Sequence, residues 1–292
     1  MTDFVLLVVT GVGLGALYFL AASGLSLIYG LMGVLNFAHG AFMVAGAYAG
    51  WVVVSHLTGL AGGLALAVGV VAALAVGALI GLVVELVLIR PLYERHIQQV
   101  LVTVGLSLAA VAAVQGIWGP DARQLPKGEW LSSTTSVAGA HVPNDRFLFI
   151  AAALLLFVGL KALLQFTRLG LVIRAGVENR RMVAALGIDV QRTFTVVFVL
   201  GSAAAGLAGI LGGVYASSVT PGQGGSMLIY AFIVVVIGGM GSLNGTAVAA
   251  LAVGLVQQLT NFYAASGVGD LSVVLLLALV LLLRPRSMEG AR

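Results

Sequence analysis

The feature that most constrains this chain is the length of its uncharged stretches. No Asp, Glu, Lys or Arg occurs from Phe4 to Val84, and a second stretch without them extends from Thr193 to Gly269. A helix needs about 20 apolar residues to cross a hydrocarbon core of about 30 Å, so each stretch can cross a bilayer more than once. Only 8% of the 292 residues are charged, and 61% are hydrophobic. The sequence therefore predicts a polytopic membrane protein.

Continuous apolar runs favour helices, because the strands of a membrane barrel would show short alternating segments. We predict an all-α fold, a polytopic transmembrane helical bundle of about eight to nine spans that includes short or re-entrant broken helices. The whole chain, residues 1–292, is expected to form a single transmembrane domain. The candidate spans are residues 4–29, 41–57, 64–89, 98–118, 147–167, 193–215, 226–241, 243–263 and 264–283.

The basic residues predict the orientation of these helices, since Lys and Arg concentrate in cytoplasmic loops. Residues 168–192 contain five Arg against two acidic residues, and residues 284–292 contain three Arg against one Glu, so both segments should be cytoplasmic. Residues 119–146 balance three basic and three acidic side chains and should form an outer, periplasmic loop. The net charge of +4 therefore reflects membrane orientation, and no nucleic-acid partner is expected.

Two glycine-rich breaks interrupt the apolar runs in a similar way. The sequence "GVLNFAHGA" begins at Gly33 and "GGMGSLNGT" at Gly238, and later helices end in "LIRP" and "LLRP" respectively. We interpret this as an internal repeat that relates residues 1–92 to residues 193–286, a pattern typical of transporters with a path between related halves. Chance similarity in a chain rich in Gly and Leu is the alternative.

The breaks combine glycine with amide, hydroxyl or imidazole groups, and polar groups at membrane depth need a partner or a water-filled cavity. We therefore predict that they line a path for a small polar or amphipathic solute. For His39 the alternative is a neutral imidazole bonded to a nearby backbone carbonyl. Glu85 is expected to be a snorkelling or paired carboxylate at the interface. The candidate substrate-pathway residues are Asn36, Phe37, His39, Gly40, Gly238, Gly239, Gly241, Ser242 and Asn244.

No residue pattern predicts a catalytic or metal site. The four histidines are scattered along the chain, cysteine is absent, and a metal site would need several ligands at convergent spacing. No Ser–His or His–Asp arrangement suggests an intramembrane enzyme. We expect a non-enzymatic protein with no cofactor and no bound metal.

The basic segment "RLGLVIRAGVENRRMVAALGIDVQRT", residues 168–193, predicts a helix from about Ile173 to Leu186 that ends at Gly187 in a left-handed conformation. So short a helix is marginal in water unless it packs against something. Its arginines could serve membrane orientation alone, but its small residues suit close approach to a partner surface. The candidate contact residues are Glu178, Arg181, Ala184, Ala185 and Gly187.

This segment is similar to the coupling loop of permeases of ATP-binding-cassette importers. Together with "NFAHGA" and "VIGGMGSLNGTAVAALAVG", the stretch "RAGVENRRMVAALGID" resembles LivH-type permeases of high-affinity branched-chain amino acid importers, over about residues 4–283. The match departs from the wider class at one point, because Glu178 stands six residues before Ala184. Which residue makes the main contact with the ATPase is therefore open.

The resemblance implies a single permease domain that imports branched-chain amino acids, or related amino acids, amides or urea. The implied partners are a second homologous permease of the LivM type, two ATP-binding subunits of the LivG and LivF type, and a periplasmic substrate-binding protein received by residues 119–146. A P-loop needs Gly-Lys, but Lys127 follows Pro126 and Lys161 follows Leu160, so ATP would be hydrolysed on the partner subunits. The implied location is the bacterial inner membrane, with several crossings of the lipid bilayer.

The alternative function is a stand-alone ion-coupled carrier or channel for a small polar solute. The absence of an acidic residue beside His39 and the partner-like basic segment argue against it. Uptake that continues without any ATPase subunit would favour it.

Overall fold

The computed structural model describes residues 2–33, 35–57, 62–93, 95–185, 187, 189–265 and 267–283. Within them the chain is a helical bundle, as the uncharged runs predict. The helices are α1 (Thr2–Met32), α2 (His39–His56), α3 (Gly62–Val84), α4 (His96–Trp118), α5 (Glu129–Ser132), α6 (Asp145–Phe166), α7 (Arg168–Ala185), α8 (Val190–Ala216), α9 (Gln223–Gly238), α10 (Leu243–Tyr263) and α11 (Val268–Leu283). A π-helix, Glu85–Ile89, and a 3-10 turn, Arg90–Leu92, continue α3.

Each of the nine candidate spans coincides with a helix, but the predicted count of eight to nine crossings is not confirmed. Six helices among the described residues are long and apolar enough to cross a membrane, namely α1, α3 with its extension, α4, α6, α8 and α10. The other three are short, with 18 residues in α2 and 16 each in α9 and α11. These three include the segments for which the sequence predicts short or broken helices.

Four short strands are the only non-helical regular elements of the described residues, and they depart from a strictly all-α fold. Strands β2 (Thr134–Val137) and β3 (Ala140–Pro143) form a hairpin in the predicted outer loop. Strand β1 (Arg123–Gln124) pairs in antiparallel fashion with β4 (Ser218–Val219), which follows α8. The strands therefore tie the loop between α4 and α6 to the turn between α8 and α9, at one end of the bundle.

The two ends of the bundle agree with the orientation read from the charges. Helix α6 separates the strand-bearing loop from α7, and its 22 residues extend about 33 Å at 1.5 Å per residue. The balanced loop and the basic segment therefore lie at opposite ends of the bundle. We call the end that carries the strands the outer end.

Helices α1 and α8 form the centre of the bundle. Helix α1 packs along α10, α8, α6 and α9, whereas α8 packs along α3, α2 and α1. All residues of α1 from Gly13 to Ile28 are buried, and most of α8 beyond Gly201 is buried too. Helices α4, α6 and α11 expose large apolar side chains such as Leu108, Leu155 and Leu282. The exposed side chains suit contact with lipid or another subunit.

Glycine allows the central helices to approach each other closely. A Cβ atom added to Gly24 would collide with the backbone carbonyl of Gly201, and one added to Gly206 would collide with that of Ala73. Lipid is as apolar as a leucine side chain, so helix association in a membrane depends on such close packing rather than on hydrophobic burial. These contacts fix the spacing of α8 against α1 and α3.

We predict that Gly206→Ala destabilises the protein by about 1–3 kcal/mol, because the new methyl group would overpack a contact between two backbones. The matched control is Gly105→Ala in α4, where an added Cβ meets nothing within 4 Å. Alanine should cost nothing there, since it favours a helix over glycine by about 1 kcal/mol. Thermal unfolding of the two variants in the same detergent measures the difference, and equal midpoints would contradict the packing role.

Candidate functional site

Helix α2 begins inside the bundle rather than at its edge. After α1 ends, Gly33 takes a φ of +65° and the chain turns back. The imidazole Nε2 of His39, the first residue of α2, donates a hydrogen bond to the carbonyl of Ala21 at 3.0 Å, well before the end of α1. The region predicted to be interrupted near residues 33–42 is therefore a broken pair of helices.

Helix α9 begins inside the bundle in the same manner. Ser217 ends α8 with a φ of +59°, and Gln223 then reaches back to donate its side-chain amide to the carbonyl of Gly209 at 2.8 Å. The first turns of α2 and α9 meet. A Cβ on Gly40 would lie 2.8 Å from the carbonyl oxygen of Gly224, and a Cβ on Gly224 would collide with the carbonyl of Gly40.

Two polar atoms at the start of α2 have no partner among the described residues. The side-chain oxygen of Asn36 accepts the backbone N–H of Ala38 at 3.1 Å, which leaves its Nδ2 without an acceptor. The Nδ1 of His39 likewise has no donor. Asn36 and His39 are 1% and 0% exposed. Buried polar atoms are normally paired, so this donor and this acceptor are unusual and mark the start of α2 as a candidate site.

The geometry of His39 fits the alternative considered for it from the sequence. Only a ring N–H can donate to a carbonyl, so Nε2 carries the proton in the neutral imidazole and Nδ1 is an acceptor. The bond to Ala21 therefore has a structural role. Whether Nδ1 of His39 lines a solute path is a separate question, and that role stays a prediction.

The second break, between α9 and α10, has a well-defined structural basis. Gly239 and Gly241 have φ values of +88° and +85°, and the Oγ of Ser242 accepts the N–H of Gly245 at 3.1 Å as the N-cap of α10. Gly241 packs against Gly30 near the end of α1. Ser242 and Asn244 are exposed. The break thus turns the chain at the inner end of the bundle.

The predicted pathway residues form two groups rather than one. Asn36, Phe37, His39 and Gly40 lie at the start of α2, whereas the group from Gly238 to Asn244 lies at the α9–α10 turn. Both groups border the second half of α1. The ring of Phe37 packs on Phe232 of α9, with 5.2 Å between centroids. Gly40 contacts Gly224, a residue that the sequence pattern did not single out.

A cavity of about 720 Å³ lies outside the start of α9 and contains a polar network that sequence reasoning missed. The hydroxyl of Tyr18 donates to Oε1 of Gln257 at 2.5 Å. The Nε2 of Gln257 and the hydroxyl of Tyr230 donate to Oδ1 of Asp270, at 2.7 and 2.8 Å. One signal could have revealed the site: Asp270 is an acid inside a candidate span, directly after the second uncharged run.

Glu85 lies at the inner end, and of its two predicted roles the structure supports a paired carboxylate. It is fully buried and does not snorkel. Its Oε2 accepts the hydroxyl of Thr195 on α8 at 2.9 Å, and its Oε1 accepts the hydroxyl of Tyr93. Snorkelling was the wrong alternative, because the π-helix that begins at Glu85 lies against α8 and brings the carboxylate to Thr195. Arg90 instead donates to Gln191 at 2.7 Å.

Helix α7 corresponds to the predicted basic helix, although it begins earlier, at Arg168. Gly187 has a φ of +78°, as expected for a left-handed end. Ile173 and Val183 are buried, and α7 packs on α6, α8 and the inner end of α1. The side chains of Glu178, Arg181, Ala184 and Ala185 lie outside the described residues, so the predicted contact role stays a prediction.

The described residues contain no group of three or more His, Asp or Glu side chains that could hold a metal ion. The two breaks and the outer cavity contain hydrogen-bonding groups, and the cavity also contains the carboxylate of Asp270. This chemistry suits recognition of a small polar solute.

Comparison with known proteins gives consistent matches over nearly the whole chain. A family model described as branched-chain amino acid transport system / permease component matches residues 7–283. The chain is 29% identical over 287 residues to the high-affinity branched-chain amino acid transport system permease protein LivH of Escherichia coli (strain K12). The aligned region covers 96% of this chain and 93% of that protein.

Two further relatives agree with this match. The permease protein BraD of the high-affinity branched-chain amino acid transport system of Pseudomonas aeruginosa is 29% identical over 289 residues, covering 97% and 94% of the two chains. The permease protein LivM of Escherichia coli (strain K12) is 27% identical over 289 residues, covering 89% and 66%. No solved structure matches.

We predict that Glu85 and Thr195 are energetically coupled. Each single change, Glu85→Ala and Thr195→Val, should lower the thermal unfolding midpoint. The reason is that each change leaves the other side chain without its hydrogen bond. The double variant should be more stable than additivity predicts by about 1 kcal/mol. Glu129→Ala, at an exposed outer residue, is the control and should have little effect. Strict additivity of the two single changes would show that the contact carries no energy.

Proposed function

This chain belongs to the family of branched-chain amino acid transport system permease components, and from that premise we propose that it is the membrane permease subunit of an ATP-binding-cassette importer. Its proposed solutes are branched-chain amino acids, or related amino acids, amides or urea, moved into the cytoplasm. The observation that carries this proposal is the family match over residues 7–283. A protein with six helices long and apolar enough to cross a membrane suits that role, and we place it in the bacterial inner membrane.

Helix α7 is the proposed contact with the ATP-binding subunits. It lies at the end of the bundle opposite the strands, and it contacts α6, α8 and α1. Asp189, which follows it, caps α8 by accepting the N–H of Arg192 at 3.1 Å. Movement of α7 would therefore be passed directly to the first turn of α8. From there Thr195 connects to Glu85 and the inner end of α3.

The start of α2 and the α9–α10 turn are the proposed substrate-contacting segments. Both border α1, which also packs on α8. A displacement of α8 can therefore change the environment of both segments through α1. The unpaired Nδ2 of Asn36 and Nδ1 of His39 supply one donor and one acceptor. The proposed path needs no residue that binds and releases protons to drive transport, because ATP hydrolysis on the partner subunits would supply the energy.

The outer loop, residues 119–146, is the proposed receiving surface for a periplasmic binding protein. Its β2–β3 hairpin is mostly exposed, and the side chain of Trp130 is 58% exposed. Exposed aromatic residues are common at protein interfaces. The mixed charge of the loop would orient a partner more than it would add affinity.

We also propose that residues 1–92 and 193–286 are related halves. The contacts of α1 match those of α8: α1 packs on α10 and α9, and α8 packs on α3 and α2. In this correspondence α1, α2 and α3 match α8, α9 and α10, in that order. It equates the break after α1 with the turn after α8, rather than with the Gly238 break that the sequence suggested.

The remaining partners follow from the same proposal. A second permease of the LivM type would cover part of the exposed apolar surface of this chain, and two ATP-binding subunits of the LivG and LivF type would act from the cytoplasm. A stand-alone carrier remains the competing function. Transport by membrane vesicles that contain this chain without any ATP-binding subunit distinguishes the two, because an importer of the proposed kind would show none.

We predict that replacing Ala184 and Ala185 together with Arg abolishes ATPase association and transport, since bulky charge would prevent close approach to the partner. Membrane insertion should be unchanged. The measurement is co-purification of the ATP-binding subunits, followed by nucleotide-dependent uptake in vesicles. Ser136→Arg, on the outer hairpin, is the control and should keep the ATPases bound. Coupled transport by the Ala184/Ala185 variant would contradict the proposed contact.

We predict that Asn36→Ala and Asn244→Ala change the uptake rate or solute preference while the ATPases stay bound. A lost hydrogen bond to the solute should alter uptake severalfold, because one such bond is worth about 1 kcal/mol. Gln115→Ala, at an exposed amide on α4, is the matched control and should behave like the unmodified protein. Uptake kinetics that match the control for both variants would remove these asparagines from the path.

A further inference from the structure

The outer cavity lies where a solute that enters from outside would arrive first. Its rim includes Ser218 and Thr220 from the α8–α9 turn and Gly267 from the α10–α11 turn. The α8–α9 turn is joined to the outer loop by the pairing of β1 with β4. The first turn of α9 lines the cavity through Gln223 and packs on the start of α2 through Gly224. The cavity is therefore directly outside the meeting point of the two broken helices.

The cavity is lined by one charged residue together with polar and apolar ones. Asp270 is its charged residue and is exposed. Leu14, Leu17 and Met227 are among its apolar residues. Ligand pockets that hold small molecules are commonly 300–1,000 Å³ in size, with mostly apolar walls and few polar groups. At about 720 Å³ this cavity is large enough for a single amino acid and its hydration water.

Asp270 has hydrogen-bond donors but no cationic partner. Both of its donors, Gln257 and Tyr230, are neutral and bind the same atom, Oδ1. Its Oδ2 has no donor among the described residues, and none of their Lys, Arg or His side chains forms an ion pair with it. The carboxylate is therefore held in place with one oxygen free.

We propose that this cavity is an amine-recognition site, in which Asp270 binds the ammonium group of the transported amino acid and the apolar lining residues Leu14, Leu17 and Met227 contact its aliphatic side chain. The identity of the ligand rests on the proposed function. The carboxylate selects a cation, because it can only accept hydrogen bonds and an ammonium group can only donate them. The chain of bonds from Tyr18 through Gln257 fixes the carboxylate and so positions it for the ligand.

The chain contains no cysteine, so one introduced thiol gives a site-specific probe. Ser226 is exposed and lines the cavity. Ser226→Cys in the assembled transporter, in membrane vesicles, is labelled with a maleimide in the presence of leucine, isoamylamine or isocaproate. Isoamylamine keeps the ammonium and the branched chain of leucine, whereas isocaproate keeps the carboxylate and the branched chain. Mass spectrometry of this subunit measures the labelling rate.

Leucine and isoamylamine should slow labelling, and isocaproate should not. Adding Asp270→Asn should raise the isoamylamine concentration for half-protection at least about tenfold, because a hydrogen bond to a charged group is lost. Asp270→Glu should retain protection. Asp3→Asn, at an exposed acid in the first turn of α1, controls for charge and should leave protection unchanged. Thr2→Cys, at an exposed residue outside the outer loop and the cavity, should be labelled at the same rate with or without amine.

Equal protection by isocaproate, no protection by the amine, or protection that survives Asp270→Asn would overturn the proposal. The comparison of the three ligands uses native Asp270, so it decides the question even where Asp270→Asn fails to assemble. Nucleotide-dependent uptake of radiolabelled leucine by the unmodified transporter tests the proposed function separately. Uptake of leucine without amine protection rejects the cavity alone. Asp270-dependent amine protection without leucine uptake supports the cavity and rejects leucine as the solute.

Discussion

The structure depends on backbone-to-backbone contact between glycine-bearing helices. A chain in lipid gains little from hydrophobic burial, so its helices must be held by close packing and by internal hydrogen bonds. Gly24 against Gly201, Gly206 against Ala73 and Gly40 against Gly224 provide such contacts at the centre of the bundle. They place α1 and α8 side by side and bring together the broken helices that start beside them. Helix α7 packs on both of these helices, and residues of both line the outer cavity.

The broken helices create polar surface within an otherwise apolar interior. Where α2 and α9 start inside the bundle, their first turns have backbone N–H groups that no earlier turn of the helix can accept. Side chains also bind N–H groups just before these helices, because Asn36 accepts the N–H of Ala38 and Gln223 accepts the N–H of Thr220. The polar groups that remain, together with those of the outer cavity, are the ones that we propose contact the solute.

The inner and outer ends of the bundle are connected through the same central helices. At the inner end Thr195 of α8 bonds to Glu85, beside the basic helix α7. At the outer end α8 is followed by the strand that pairs with the outer loop. A rigid α8 can therefore carry a displacement from one end of the bundle to the other, as the proposed function requires.

Length of apolar run, charge and turn chemistry are local properties, so the nine apolar helices, the basic helix α7 with its left-handed end at Gly187 and the two breaks at glycine and polar residues can be predicted from the sequence alone. The hydrogen bonds between side chains far apart in the chain cannot be predicted in this way. Asp270 joins Tyr230 and Gln257, and Glu85 joins Thr195, across gaps that no local pattern encodes. The physical reason is that lipid-facing and buried faces of these helices are equally apolar, so the sequence does not reveal which face meets which neighbour.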